Sequence, residues 1–282
     1  MATTTTTLDT DSRVHLFDIL STLAPPQNSW SAHALKIRCV LNYKRIPYTQ
    51  SFISYPDIAP LLKDRLGLPP NASGGIPHTL PAIIHRPSVT SNPHGAVSDS
   101  LPIALHLDSA FPDPPLFPSG HASYALYLAV ERILAGFESG YRPFIVPRVA
   151  EKLDPRGQAY FVETRSKALG RPLADVRPKP HETERINQLW AGIEKEALTL
   201  ISMLKGREGE KDGVFFEGDR PGFADILVAC HLAFIERFDK ELFGRIVALK
   251  DGELKELYKA AVPWLEGQGE DRQLGVEEGI PS

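Results

Sequence analysis

The first part of the chain alternates β-forming runs with amphipathic helical segments. An apolar run rich in Val, Phe and Ile at 13–20 predicts a strand. Apolar residues recur at helical spacing in 31–44, which predicts a helix. The β-branched and aromatic run 48–54 predicts a second strand, and the proline-bounded segment 57–66 predicts a second helix.

Two further strands and a helix complete this region. TLPAII at 79–84 is a short apolar run, and the turn-rich segment 85–97 predicts a hairpin into another strand. SDSLPI at 98–103 opens a helix, so the predicted order is β-α-β-α-β-β-α. Strands that alternate with helices indicate parallel pairing, and the two adjacent strands indicate an antiparallel edge.

A proline-saturated segment separates this region from a second one. FPDPPLFPSG at 111–120 is too stiff and too proline-rich to form a helix, which favours a linker. Beyond it nearly every periodic segment is helical, so we predict an all-α domain of five or six helices. The predicted divisions are a disordered tail at 1–12, an α/β domain at 13–110, the linker at 111–120, the helical domain at 121–265 and a flexible tail at 266–282.

Composition excludes several classes of function. The net charge is −4 and the pI about 6.2, and no basic patch with interleaved aromatics is present, so we expect no nucleic-acid partner. No apolar run approaches the roughly 20 residues that span a bilayer. The first residues lack the apolar core of a signal peptide, and we expect a cytoplasmic protein.

Cysteine and histidine usage argues against a metal centre. Cys39 and Cys230 lie far apart, each in an apolar helical stretch, so we expect two buried reduced thiols rather than a disulfide or zinc site. The nine histidines show no metal-ligand spacing, and we expect no metal.

Two proline-containing motifs are candidates for ligand binding. If Pro81 follows a cis bond, the N–H and C=O of Leu80 can pair with an extended ligand; the alternative is a trans proline that opens an ordinary strand. At the next helix start, Ser100 is a suitable N-cap with Asp99 beside it. A carboxylate could bind the free N–H groups there and an ammonium could bind Asp99; the alternative, which the motif alone favours, is a plain cap.

Two other helix starts carry different signals. Ser31, in NSWSAHALKIRCVL, begins a helix with no carboxylate three residues later, so it is either a cap or a hydroxyl that faces a ligand. Gly222 precedes Asp225 by three residues in GDRPGFADILVA, which predicts a structural helix start of the capping-box kind.

The order and spacing of these motifs resemble those of the cytosolic glutathione transferases over about residues 13–265. The resemblance is strongest to the fungal FuA class, which is related to bacterial glutathione-dependent β-etherases. It rests on five stretches: WSAHALKIRCVLNYKRIPY (30–48), YPDI (55–58), TLPAI (79–83), SDSLPIA (98–104) and YFVETRSKALGRPL (160–173). It implies a thioredoxin-like domain followed by an all-helical domain, and a homodimer.

The resemblance also implies roles for individual residues. In serine-type members a serine at the start of the first helix faces the glutathione sulfur; here that position is Ser31, with Ser29 as the nearby alternative. Leu80 would pair through its backbone with the cysteinyl part of glutathione, which makes Pro81 the cis-proline. The γ-glutamyl end would be held by the remaining pair, Asp99 and Ser100.

The implied activity is attack of the glutathione thiolate on a hydrophobic aromatic electrophile, by conjugation or by glutathione-dependent ether cleavage, in detoxification of wood or plant phenolics. Tyr124 and Tyr127 could stack on the co-substrate between the domains, or could pack in the core. The alternative function is a ligandin that binds and sequesters polyphenols.

Two features depart from the pattern of the family. Gly222 replaces the usual Ser or Thr cap, and Tyr55 lies where some relatives have a lysine for the glycyl end of glutathione. No cysteine lies at the start of the first helix, which disfavours thiol-reductase chemistry. The prolines at 172, 178 and 180 predict an ordered loop or a broken helix within 150–180 that could cover the pocket.

Overall fold

The computed structural model describes residues 12–71, 75–206 and 212–272. Nearly all of the predicted tail 1–12, and residues 273–282 of the predicted tail 266–282, lie outside the described residues. The described chain forms an α/β domain followed by a helical domain.

The α/β domain follows the predicted order β-α-β-α-β-β-α. A π-helical turn at Pro60–Arg65 continues its second helix. The elements are β1 (Val14–Ile19), α1 (Ala32–Tyr43), β2 (Tyr48–Ile53), α2 (Tyr55–Ala59), β3 (Ala82–Ile84), β4 (Ala96–Ser98) and α3 (Ser100–Ala110).

The sheet combines parallel and antiparallel pairs around β1. β1 runs parallel to β2 and antiparallel to β3, and β4 is antiparallel to β3 at one edge. All six residues of β1 are buried, which explains its nearly continuous apolar sequence. The predicted parallel pairing with an antiparallel edge is confirmed.

The helical domain contains six α-helices within the described ranges, in agreement with the predicted five or six. They are α4 (His121–Val149), α5 (Pro155–Leu169), α6 (Thr183–Lys205), α7 (Phe223–Phe238), α8 (Lys240–Val247) and α9 (Glu253–Glu266). Helix α7 is almost wholly buried, because it packs against α4, α9 and, across the domain boundary, α1.

The start of α7 is held by Asp225, as its sequence predicts. Gly222 is the N-cap residue, and its N–H donates to Asp225 Oδ2 at 2.8 Å. The other carboxylate oxygen accepts the N–H of Phe216 at 2.8 Å. A glycine suffices here because the acidic side chain supplies the acceptor.

The two cysteines meet across the boundary between the domains. Cys39 in α1 and Cys230 in α7 are both fully buried free thiols, and their Sγ atoms lie 3.7 Å apart. This confirms the expectation of two buried reduced thiols.

The segment after α9 differs from the predicted flexible tail. Residues 270–271 form β5 (Glu270–Asp271), which adds parallel to β2 and completes a sheet of order β4-β3-β1-β2-β5. The buried guanidinium of Arg38 donates to the Gly267 carbonyl at 3.3 Å and to Gln268 Oε1 at 3.1 Å. Sequence reasoning missed this strand because two polar residues carry no hydrophobic periodicity.

Candidate functional site

A cavity of about 330 Å³ lies between the two domains. The α/β domain contributes the start of α1, the start of α2 and the segment before β3, and the helical domain contributes α4, α5 and α7. The lining includes the aromatic, polar and charged residues Trp30, Ser31, His33, Tyr55, Glu138, Tyr141, Arg142, Tyr160, Phe161, Arg165 and Phe234, together with Leu80.

Ser31 lines this cavity at the N-terminus of α1. It is the N-cap residue, with extended backbone (φ −64°, ψ 126°), but its side chain makes no capping hydrogen bond. Its carbonyl accepts the N–H of Leu35 at 2.9 Å, the first bond of the helix. The hydroxyl is therefore left available to the cavity, beside the positive end of the helix.

Ser29 lies in a different environment. It is fully buried, and its hydroxyl donates in a short hydrogen bond to Asp18 Oδ2. Asp18 is itself fully buried, accepts the N–H of Ile19 at 2.7 Å, and lies 3.3 Å from the Arg38 guanidinium. The Ser29 hydroxyl is therefore engaged by a buried charge, whereas Ser31 is the one of the two serines that lines the cavity.

The two proline-containing motifs are joined at the edge of the cavity. The Leu80–Pro81 bond is cis, and Leu80 lines the cavity. Within the described ranges no hydrogen bond engages the backbone N–H or C=O of Leu80. The carbonyl of Pro81 accepts the N–H of Asp99 at 3.2 Å, so the cis-proline and the start of α3 are adjacent.

The start of α3 differs in detail from its prediction. The N-cap residue is Asp99 rather than Ser100, and it has a positive φ of 75°. Its Oδ1 accepts the N–H of Ser100 at 2.7 Å. Asp99 is exposed while Ser100 is buried, so the carboxylate is accessible from solvent.

Aromatic rings form much of the cavity wall. Tyr55 stacks on Tyr160 with ring centroids 6.4 Å apart and contacts Phe161 at 5.2 Å. Trp30 stacks on Phe234 at 6.0 Å. The wall therefore suits a flat apolar ligand.

The polar groups of the helical domain are unevenly paired. Arg142 donates to Glu138 at 2.6 Å, so these two charges neutralise each other. Tyr141 is fully buried, and its hydroxyl lies 2.7 Å from His231 Nδ1. Burial raises the pKa of Tyr141 and lowers the pKa of His231, so both are neutral near pH 7.

His33 lies two residues after Ser31 and reaches the cavity. Its surroundings lower its pKa from 6.5 to about 3, first by desolvation and then by the charges of Lys36 and Arg142. Burial raises the pKa of Tyr55 to about 12, an effect that the nearby Arg165 opposes. At neutral pH the imidazole is therefore uncharged and the phenol protonated.

Tyr124 and Tyr127 belong to a separate aromatic cluster. Tyr127 is buried, contacts Phe223 at 5.4 Å and donates its hydroxyl to Glu131 at 2.7 Å. Tyr124 packs on Phe117 at 5.7 Å. This placement agrees with the alternative of core packing, and a contact with the co-substrate stays a prediction.

No site residue was predicted on α5 from the sequence, although the 150–180 segment was expected to cover the pocket. Tyr160, Phe161 and Arg165 lie on one face of this helix. Phe161 and Arg165 are four positions apart, a spacing that could have indicated a shared face, but it could not show which face meets the other domain.

The described residues lack two kinds of feature. They contain no group of three or more His, Cys, Asp or Glu side chains that could hold a metal ion. Among the same residues no helix is long and apolar enough to cross a membrane.

Residues 125–264 match the family model "Glutathione S-transferase, C-terminal domain". The chain is 50% identical over 267 residues to the glutathione S-transferase-like protein ustS of Aspergillus flavus, covering 94% of this chain and 96% of that protein.

Solved structures also match. One is glutathione transferase GSTFuA3 of Phanerochaete chrysosporium, with a TM-score of 0.75, 28% identity and coverage of 89% of this chain and 97% of that one. Another, with the same TM-score and coverage and 26% identity, is the glutathione S-transferase CsGST63524 of Ceriporiopsis subvermispora, whose crystal contains glutathione.

Proposed function

The chain belongs to the glutathione S-transferase family, and from this premise we propose that it binds glutathione and activates its thiol for attack on an aromatic electrophile in the cavity between the domains. The reaction is conjugation or glutathione-dependent ether cleavage. We assign it to the detoxification of wood or plant phenolics, in the cytoplasm and as a homodimer. The aromatic wall around Tyr55, Tyr160 and Trp30 supports a flat apolar co-substrate.

The observation that carries this proposal is the Ser31 hydroxyl, which faces the cavity without a capping bond. A free thiol has a pKa of about 8.5, and lowering it by two units requires roughly 2.7 kcal/mol of preferential stabilisation of the thiolate. One hydrogen bond to a charged group contributes about 1.5–3 kcal/mol, and the helix N-terminus adds to it. Ser31 donates to the thiolate without losing its own proton.

The rest of glutathione is held along the edge of the α/β domain. The unpaired backbone groups of Leu80, beside the cis bond to Pro81, pair with the cysteinyl part of the peptide as an added strand would. Asp99 accepts from the γ-glutamyl ammonium, and the start of α3 at Ser100 receives the adjoining carboxylate.

A serine at this position also restricts the chemistry. A cysteine would form mixed disulfides with glutathione, whereas a hydroxyl cannot. Cys39 lies farther along α1, fully buried against Cys230. We therefore assign transferase rather than thiol-reductase activity.

The test is turnover of phenethyl isothiocyanate and of a fluorogenic β-aryl ether by the wild type, by Ser31→Ala and by Ser29→Ala. We expect Ser31→Ala to lose at least about tenfold in kcat/KM, or about 1.4 kcal/mol of transition-state stabilisation. Ser29→Ala is the matched control: it should lower stability by about 1–3 kcal/mol through the lost bond to Asp18 but keep kcat. Equal activity of the wild type and Ser31→Ala would refute the role of Ser31.

A second candidate function is a ligandin that binds polyphenols without turnover. The ring-lined cavity, with Trp30 stacked on Phe234, favours it as well. A ligandin differs from a transferase in its expected result: the wild type would turn over neither electrophile, but its melting temperature would rise with glutathione or phenolics. In that case Ser31 acts mainly as the first residue of α1.

A further inference from the structure

Arg165 occupies a fixed position in the cavity wall. It lies on α5 and is partly buried. Its Cζ atom is 4.6 Å from the ring centroid of Phe161 and 5.5 Å from that of Tyr55. These two rings hold the planar guanidinium by cation–π contact and limit its rotamers.

The charge of Arg165 has no carboxylate partner in the described ranges. Its Nη1 donates to the neighbouring Thr164 Oγ1 at 3.0 Å, and the ion pairs of the described residues do not include it. By contrast, Arg142 across the cavity is paired with Glu138 at 2.6 Å. On the same helix, Arg156 pairs with Asp57 at 2.7 Å.

The neighbouring groups do not compensate this charge. Tyr55 is a protonated phenol at neutral pH, and its pKa is raised to about 12. His33 is neutral there because its pKa is lowered. A guanidinium has five N–H donors in a planar fork, and the fork matches the two oxygens of a carboxylate.

We propose that Arg165 binds a carboxylate of the ligand in the cavity, and that the helical domain thereby supplies an anchor for an anionic group. This inference rests on the proposed function. Two sources offer the same chemistry: the glycyl carboxylate of glutathione, and a carboxylate on an aromatic co-substrate that stacks on Tyr55 and Tyr160.

The experiment compares acids with their neutral analogues by isothermal titration calorimetry. The first pair is glutathione and its ethyl ester at the glycyl carboxyl; the second is 4-nitrobenzoate and 4-nitrobenzamide. Each is titrated into the wild type, Arg165→Gln, Arg165→Lys and Lys167→Gln. Lys167 is an exposed residue of the same helix, so Lys167→Gln removes one positive charge away from the cavity lining.

We expect Arg165→Gln to weaken binding of one acid by about tenfold while its neutral analogue changes little. Arg165→Lys should recover part of the loss, because it keeps the charge but not the fork. Loss confined to glutathione assigns the glycyl carboxylate, and loss confined to 4-nitrobenzoate assigns the co-substrate. The acid and its neutral analogue are compared within each variant. A general weakening of the fold would therefore lower the affinity for both compounds, whereas loss of the anchor lowers the affinity for the acid alone.

Two results would overturn the inference. If Arg165→Gln binds both acids with the same affinity as the control Lys167→Gln, Arg165 is not an anchor, while the proposed function stands. If the wild type binds neither glutathione nor 4-nitrobenzoate, both the anchor and the proposed function fail.

Discussion

Replacing Arg38 by methionine should strongly lower the free energy of unfolding of the protein. The guanidinium is fully buried, 3.3 Å from the Asp18 carboxylate, and it donates to the Tyr48 hydroxyl at 3.2 Å. It also binds the Gly267 carbonyl and the Gln268 side chain in the segment after α9. Its removal leaves the Asp18 charge without its cation, so we expect the free energy of unfolding to fall by about 3–5 kcal/mol.

The measurement is urea unfolding at pH 7, followed by circular dichroism and tryptophan fluorescence. Limited proteolysis after residue 266 reports whether β5 detaches in the variant. The matched control is Arg156→Met, because Arg156 pairs with Asp57 on the surface and its side chain is 67% exposed. We expect the control to cost about 0–1 kcal/mol.

A double variant separates the charge from the packing. In Asp18→Asn/Arg38→Met no buried carboxylate is left alone, and the amide can still accept from the Ile19 N–H. The double variant should be more stable than Arg38→Met. If Arg38→Met costs no more than Arg156→Met, the reasoning about the buried charge is refuted.

Two further predictions concern buried titratable groups. His231 is buried and desolvation lowers its pKa well below 6.5, so the unfolded state takes up a proton first as pH falls; the free energy of unfolding should therefore fall from about pH 6.5 downward, and less steeply in His231→Gln, as melting at several pH values would show. An equal slope in His231→Gln would contradict this origin. Cys39 and Cys230 are buried, and burial raises the pKa of Cys39, so neither thiol should react with Ellman's reagent at pH 8 until urea is added; rapid reaction of the native protein would show that the boundary between the domains opens.

Much of the α/β domain could be predicted because its elements carry local signals. The apolar run of β1 and the helical spacing of α1 are each encoded within a dozen residues. The linker at 111–120 could be predicted from its prolines alone, and this segment lies between α3 and α4 in the structure. Long-range contacts were not needed for any of these assignments.

The choice between Ser29 and Ser31 depended on a contact that sequence does not display. The two serines flank Trp30, and serine suits a helix start at either position. Only the tertiary position of the Asp18 carboxylate separates them, because it engages one hydroxyl and leaves the other to the cavity. The sequence therefore predicts two candidate serines, and the packing around Asp18 shows which of their hydroxyls lies at the cavity.

The cavity wall on the side of the helical domain was the least predictable part. The aromatic and cationic residues of α5 follow an ordinary amphipathic pattern, and such a pattern does not say whether its face meets a core, a cavity or solvent. Tyr124 and Tyr127 show the same ambiguity, and in the structure they pack with Phe117 and Phe223.

The position of β5 has a consequence for the order in which the protein folds during synthesis. Gln50 of β2 binds Asp271 of β5 at 2.7 Å, across 221 residues of sequence. While the helical domain is being translated, the edge of β2 has no partner strand from β5, and an open edge can pair with other chains. The α/β domain, although it is made first, can finish its sheet only after the ribosome has synthesised all six helices that follow it in the described chain.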